Sequence, residues 1–234
     1  MLGKFRDASF RLGVLGGTFN PIHYGHLHIA RAVRKIFALS EVRFVVSAQP
    51  PHKSPEDLIP LMHRYAMVCL ATIGEPAFVP SLVELEPEAS SFSIDTLDKL
   101  GREIEPMNGV LYFIAGGDSL LEVKSWRDSE ILLQSYNFVF VLRPGINSVD
   151  PAAALPANVV PRLCDLTKVG GSGLRKQLQL QEPEKNHIYI VDVGAPDISA
   201  TRIRQCASAG KSIRKMVPEP VREYIHKLHL YGGK

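Results

Sequence analysis

The sequence has only three cysteines, one tryptophan and no hydrophobic run of membrane-spanning length. The cysteines lie far apart without a Cys-x-x-Cys pair, and their odd number argues against a disulfide framework and favours a reducing compartment. The longest apolar stretches, such as residues 65–73, are too short to cross a bilayer. The first ten residues lack the apolar core of a secretory signal. We therefore expect a cytoplasmic protein with no membrane partner.

Neither sign of charge dominates the chain. There are 27 Lys and Arg residues against 24 Asp and Glu residues, which gives a formal net charge of +3. No basic stripe or tail is present, so a nucleic-acid partner is not expected, whereas a small anionic ligand suits this balance. The hydrophobic content of 45% is ordinary for a globular protein and excludes a wholly disordered chain.

Two common phosphate-binding motifs are also missing. No Gly-x-Gly-x-x-Gly follows the first predicted strand, which removes the main signal of a dinucleotide-binding dehydrogenase. Gly210-Lys211-Ser212 resembles the end of a Walker A loop, but Gln205 stands where its first glycine belongs. We interpret that match as chance.

Short apolar strands alternate with amphipathic helices along the chain. Strands are predicted over 11–15, 42–47, 110–115, 138–142 and 187–193, with an extended segment over 78–85. Helices are predicted over 25–38, 61–73, 94–104, 199–209 and 218–228. The pattern predicts an α/β fold: a Rossmann-like, doubly wound, mostly parallel sheet with helices on both faces. We expect a single domain over 1–234 with a small helical C-terminal part from about residue 199, and we interpret 148–186 as a linker, a mobile insertion or a plain surface loop.

The most informative stretch, residues 16–26, lies between the first predicted strand and helix and reads GGTFNPIHYGH. Paired glycines let the backbone approach a ligand, and the helix N-terminus is expected to offer open N–H groups to a phosphate. His23 and His26 are three residues apart, so both imidazoles can donate hydrogen bonds to polyphosphate. The alternatives are a zinc site that adds His28, or ordinary histidines at a helix start.

A second stretch, residues 198–204, reads ISATRIR and starts a later predicted helix. Ser199 or Thr201 is expected to be its N-cap. Arg204 follows Thr201 by three residues, so the guanidinium and the hydroxyl can face one ligand together. This combination suits phosphate oxygens, although a capped helix with a surface arginine is commoner.

Together the two stretches resemble the nucleotidyltransferase superfamily with the His-x-Gly-His and Ile-Ser-x-Thr-x-x-Arg signatures. The middle of the chain narrows the resemblance to bacterial nicotinate-nucleotide adenylyltransferases over residues 12–231. The segments that carry it are PHK at 51–53, HRYAM at 63–67, SFSIDTL at 91–97, FIAGGDSL at 113–120, Trp126 and RPG at 143–145.

This resemblance implies transfer of AMP from ATP to nicotinate mononucleotide, which forms deamido-NAD and pyrophosphate. The catalytic residues that it implies are His23, His26 and Arg204. In the family these residues hold the phosphates and stabilise the negative charge of the leaving pyrophosphate. Its implied ATP-binding residues are Gly16, Gly17, Thr18, Phe19, Asn20, Gly116, Asp118, Arg143, Ser199 and Thr201. Its implied nicotinate-nucleotide-binding residues are Lys53, Ser93, Thr96, Gly117 and Trp126. Mg²⁺ is the expected cofactor, held mainly by the ATP phosphates and not by protein ligands.

The chain departs from the family pattern at three places. Asn20 stands where Asp is common, Phe92-Ser93 replaces Tyr-Thr, and residues 84–90 lack an arginine that the family often has. Alternative activities are those of a pantetheine-phosphate or nicotinamide-nucleotide adenylyltransferase, or of a non-catalytic nucleotide sensor on the same fold. Taken alone, Trp126 is better interpreted as a core or surface anchor. A homo-oligomer is compatible with the sequence.

Overall fold

The structure, a computed structural model, describes residues 10–48, 58–85, 92–142, 150–169, 173, 174, 178 and 186–232. Its strands are β1 (Phe10–Gly17), β2 (Glu41–Val46), β3 (Phe78–Ser81), β4 (Gly109–Gly116), β5 (Asn137–Leu142), β6 (Leu163–Asp165) and β7 (Ile188–Asp192). They form one sheet in the order β3-β2-β1-β4-β5-β7-β6, and every neighbouring pair is parallel. The predicted α/β fold with a mostly parallel sheet is confirmed.

Helices cover both faces of this sheet. They are α1 (Tyr24–Phe37), α2 (Leu61–Thr72), α3 (Ser93–Ile104), α4 (Gly117–Glu122), α5 (Ser129–Ser135), α6 (Pro151–Ala154), α7 (Ala200–Ser208) and α8 (Glu219–Lys227). Short 3₁₀ turns cover Glu105–Met107, Val123–Ser125 and Val160–Arg162. None of the helices that the structure describes combines the length and the apolar character that a bilayer-spanning segment requires.

The central strands are buried on both faces because each face packs against helices. In β5, Val139 and Val141 belong to the core shared with α1, α2, α7 and α8, whereas Phe138 and Phe140 point into the core shared with α3, α4 and α5. Successive side chains of a strand alternate between faces, so a continuous apolar run supplies both cores. This burial explains why the sequence predicts these strands well.

The order in which the chain adds strands to the sheet reverses at β1. The chain runs from β1 outward to β2 and β3, and then returns to β4 on the other side of β1. In parallel sheets such a switch point opens a crevice at the carboxyl ends of the strands, where ligands bind. Residues 16–26 and the start of α4 therefore lie around this crevice.

The interpretation of 148–186 as a linker, insertion or surface loop is wrong for the part of it that the structure describes at 150–169. That part contains α6 and β6, and β6 pairs with β7 at the edge of the sheet. A three-residue edge strand with one buried side chain, Cys164, is too short to show periodicity. The extended segment over 78–85 also ends early, because β3 stops at Ser81.

Candidate active site

The glycine pair at the end of β1 makes room for an aromatic ring. A Cβ on Gly17 would lie 3.0 Å from the ring of Phe19, which is buried and has a left-handed backbone with φ of 47°. The Phe19 ring in turn packs edge-on against the His26 imidazole, with centroids 5.0 Å apart. The glycines therefore permit a loop conformation in which the Phe19 ring packs against the His26 imidazole.

The two imidazoles of the first motif form a rigid stacked pair. Their centroids are 3.7 Å apart, and His23 is the N-cap of α1 with only 2% of its surface exposed. The Gly25 N–H donates to Nδ1 of His23, and the His23 N–H donates to Nδ1 of His26, each at 3.2 Å. Because both Nδ1 atoms accept, each neutral ring carries its proton on Nε2. A Cβ on Gly25 would lie 2.9 Å from Nδ1 of His23, so this geometry requires a glycine there.

One expectation for the start of α1 is wrong, and one alternative loses support. Its N–H groups were expected to be open to a phosphate, but Tyr24 donates to the Met216 carbonyl and the other first-turn amides bond within the cap. The zinc alternative also loses its third ligand, because His28 Nε2 lies 2.8 Å from the Val193 carbonyl. No group of three His, Cys, Asp or Glu side chains within the described ranges is arranged to hold a metal ion.

The second motif reaches the first across the molecule. Ser199 is the N-cap of α7, since its side chain accepts from the Arg202 N–H, and this settles the choice between Ser199 and Thr201. Arg204 Nη1 donates to the Asn20 carbonyl at 3.0 Å, and its Nη2 donates to the Thr201 hydroxyl at 3.4 Å. The guanidinium, the hydroxyl and the loop of the first motif thus share one corner of the crevice.

Tyr231 completes this corner and was missed by the sequence analysis. Its hydroxyl donates to Oδ1 of Asn20 at 2.9 Å. Burial raises the pKa of Tyr231, although the nearby cations Arg204 and Arg64 oppose that shift, so the phenol stays protonated as a donor. An aromatic residue in a glycine-rich terminal stretch carries no sequence signal for such a contact.

Arg64 is a second residue that sequence reasoning did not assign to the site. It is 2% exposed, and Nη1 donates to the carbonyls of Thr18 at 2.8 Å and Ser47 at 2.7 Å. Burial lowers its pKa. The buried guanidinium therefore ties the loop that follows β1 to the end of β2, on one side of the crevice.

A cavity of about 330 Å³ opens beside the glycine loop at the carboxyl ends of β1 and β4. The predicted site residues on its wall are Gly16, Gly17, Ser93, Thr96, Gly116 and Trp126. Trp126 is fixed by an edge-on contact with Phe113, with centroids 6.0 Å apart. The structure therefore brings parts of both predicted binding sets to one cavity.

Other predicted residues lie away from this wall. Gly117 faces β5, where an added Cβ would lie 3.3 Å from Leu142, and Asp118 is exposed in the first turn of α4. Lys53 and Arg143 lie outside the described residues.

Glu84 is a half-buried carboxylate on the cavity wall that sequence reasoning left unassigned. Its Oε1 accepts from the Thr96 hydroxyl at 3.2 Å, and its Oε2 accepts from the Ala48 N–H at 3.3 Å. Burial raises the pKa of Glu84, whereas these hydrogen bonds and the charge of Arg64 lower it by less. The Thr96 hydroxyl was expected to receive the nicotinate carboxylate, but in this structure its proton is directed to Glu84.

Comparison with known proteins identifies the family. The cytidylyltransferase-like family profile matches residues 14–206. A Geobacter metallireducens protein named "probable nicotinate-nucleotide adenylyltransferase" is 43% identical over 222 residues, covering 94% of this chain and 98% of the relative. A relative of the same name from Thermoanaerobacter sp. strain X514 is 38% identical over 227 residues, covering 96% of each chain. The chain belongs to the nicotinate-nucleotide adenylyltransferase family.

The comparison with solved structures finds the same fold in other proteins. The Plasmodium falciparum nicotinic acid mononucleotide adenylyltransferase complexed with NaAD superimposes with a TM-score of 0.68 at 19% identity, over 95% of this chain and 97% of the other. At that identity the likeness supports the fold that the sheet order already establishes. The Rossmann-like architecture predicted from the sequence is thus confirmed.

Proposed function

We propose that the chain transfers AMP from ATP to nicotinate mononucleotide, forming deamido-NAD and releasing pyrophosphate. The observation that carries the proposal is that Arg204 donates to the loop between β1 and the stacked His23–His26 pair, beside the cavity that Trp126 lines. Hydrogen-bond donors for the ATP phosphates thus lie next to an aromatic wall for the pyridine ring, and the reaction needs both substrates side by side. The names of the full-length relatives support the same activity.

Catalysis in this proposal rests on positioning and charge. The 5′-phosphate of the acceptor is already an anion near neutral pH, so it attacks the α-phosphorus of ATP without a general base. Nε2–H of His23 and of His26 would donate to phosphate oxygens, and Arg204 would stabilise the charge that develops on pyrophosphate. Because the rings are fixed by their own backbone, these donors need little reorganisation when ATP binds.

We propose Mg²⁺ as the cofactor that accompanies ATP. The neighbouring side chains of the described site are imidazoles, hydroxyls and a guanidinium, a donor set that suits phosphate oxygens better than Mg²⁺ itself. The residues therefore fit a metal that is bound through the substrate's phosphates and water. When bound, the ion would neutralise charge on the triphosphate.

The acceptor pocket in this proposal is the 330 Å³ cavity, where the Trp126 indole would stack on the pyridine ring. The N-terminus of α3, which has no side-chain cap, lies on the same wall at Ser93 and contributes a positive dipole end. Both features suit a planar ring that carries a negative substituent.

The test is pyrophosphate release from ATP and Mg²⁺ with each of three acceptors: nicotinate mononucleotide, nicotinamide mononucleotide and phosphopantetheine. We expect strong release with nicotinate mononucleotide and little with the other two. Preference for phosphopantetheine or for nicotinamide mononucleotide would replace the proposed substrate. ATP binding without release from any acceptor would favour the non-catalytic sensor and overturn the proposal.

A further inference from the structure

The charges on the cavity wall do not match an acidic substrate at first sight. Glu84 and Glu122 line the cavity; Glu84 is half-buried beside Thr96, and Glu122 is exposed. A carboxylate that enters this space approaches groups of like charge, which opposes its binding. Arg127 supplies the one cationic side chain among the described residues that line this cavity.

Arg127 is held at the mouth of the cavity by contacts that leave it adaptable. Its guanidinium carbon lies 4.7 Å from the centroid of the Phe92 ring, which orients the planar group. Its ion pairs with Asp95 and Asp128 both have N–O distances of 3.6 Å, longer than a hydrogen bond, and its side chain is 52% exposed. A ligand carboxylate can therefore compete for this guanidinium with little loss of existing contacts.

The position of Arg127 in the chain links it to the pyridine ring. It follows Trp126 directly, and both side chains line the same cavity together with Phe92 and Ser93. A ring stacked on the indole would carry its substituent into the cavity whose mouth the guanidinium lines. A planar guanidinium pairs with a carboxylate through two parallel hydrogen bonds, but gains no charge interaction with a carboxamide.

We propose that Arg127 is a specificity-determining residue that selects an anionic substituent on the pyridine ring and offsets the repulsion from Glu84 and Glu122. The inference rests on the proposed function, because it assigns the acid preference of that reaction to one side chain. It concerns binding of the acceptor and leaves the phosphate chemistry to the other side of the crevice.

The test is the ratio of kcat/KM for nicotinate mononucleotide to kcat/KM for nicotinamide mononucleotide in Arg127→Gln. We expect kcat/KM for the acid to fall about five- to tenfold and that for the amide to change less than about twofold. Arg127→Lys should retain part of the ratio. Arg102→Gln, which removes an exposed arginine in the last turn of α3, is the matched control and should leave the ratio unchanged.

Two further measurements distinguish a role of Arg127 in acid preference from a general loss of function in the variant. Binding of nicotinate mononucleotide, measured by calorimetry, should weaken in Arg127→Gln. The acid preference of the unaltered protein should shrink as ionic strength rises, because salt screens the half-exposed Arg127 guanidinium from the ligand carboxylate. An equal loss with both substrates, or an unchanged ratio, would overturn the inference while the proposed function stands. Failure of the unaltered protein to use nicotinate mononucleotide would overturn both.

Discussion

The two sides of the crevice are built differently. On the phosphate side, the protein's own hydrogen bonds hold the groups in place. Backbone N–H groups donate to the two imidazoles, Arg204 donates to the Asn20 carbonyl, and Tyr231 donates to the Asn20 side chain. On the pyridine side, Trp126 and Arg127 are held by ring contacts and ion pairs at 3.6 Å. The charge-stabilising groups are therefore preorganised, whereas the side chains that select the acceptor can adapt to it.

The largest predicted effect removes a donor from the rigid side. His26→Ala should lower kcat for pyrophosphate release about 10²- to 10³-fold, because a fixed Nε2–H donor at a developing charge is lost. The same variant should lose only about 1 kcal/mol of unfolding free energy, since the His23 N–H loses its capping acceptor. Steady-state kinetics and thermal unfolding measure the two effects.

His28→Ala is the matched control for that variant, because His28 lies on the same helix and contacts the Val193 carbonyl instead of the site. It should keep kcat within about threefold of the starting value. A comparable loss of kcat in both variants would mean that α1 packing, and not the imidazole donor, carries the effect.

The second prediction concerns Arg64, which links the loop after β1 to the end of β2. Arg64→Lys keeps the charge but cannot reach both the Thr18 and Ser47 carbonyls, so the unfolding free energy should fall by about 2 kcal/mol. Because the loops after β1 and β2 separate, kcat should fall about tenfold.

Thermal unfolding and kinetics at a temperature well below the transition give these values. Guanidinium ion added to Arg64→Ala should restore part of kcat if the residue positions the loops. A normal kcat in the destabilised Arg64→Lys protein would restrict Arg64 to a structural role.

The third prediction concerns the C-terminal contact with the phosphate side. Tyr231→Phe removes the hydroxyl that donates to Asn20, so the KM for ATP should rise about threefold while kcat changes little. Titration of ATP at saturating nicotinate mononucleotide measures this split. An unchanged KM for ATP with a lowered melting temperature would show that Tyr231 stabilises the fold without orienting the ATP site.

The smallest effect is on the pH dependence of stability. Burial raises the pKa of Glu84 above its unfolded value, so the folded protein holds a proton that the unfolded chain releases. Between the ordinary carboxyl range and that raised pKa, stability should therefore fall as the pH rises. Glu84→Gln should flatten this slope, as urea unfolding at several pH values would reveal; an unaltered slope would assign the proton to another group.

The strength of the sequence signal differed between the local and the long-range contacts of the site. The glycines and histidines of 16–26 are neighbours both in the chain and in space, so a local pattern is enough to predict that the two imidazoles lie together. Arg64, Glu84 and Tyr231 reach the site from distant parts of the chain and donate to or accept from backbone or single side-chain atoms. Such contacts depend on the sheet order, which a linear pattern does not contain. The short elements α4, α5 and β6 escaped prediction because fewer than two helical turns, or three strand residues, show no clear period.

The most direct test of the division between the two sides measures kcat/KM for both mononucleotides in the unaltered protein, His26→Ala and Arg127→Gln. His26→Ala should lower both values by a similar factor and leave their ratio unchanged. Arg127→Gln should lower the ratio about five- to tenfold by weakening use of the acid alone. A ratio that collapses in His26→Ala, or one that survives intact in Arg127→Gln, would contradict the account.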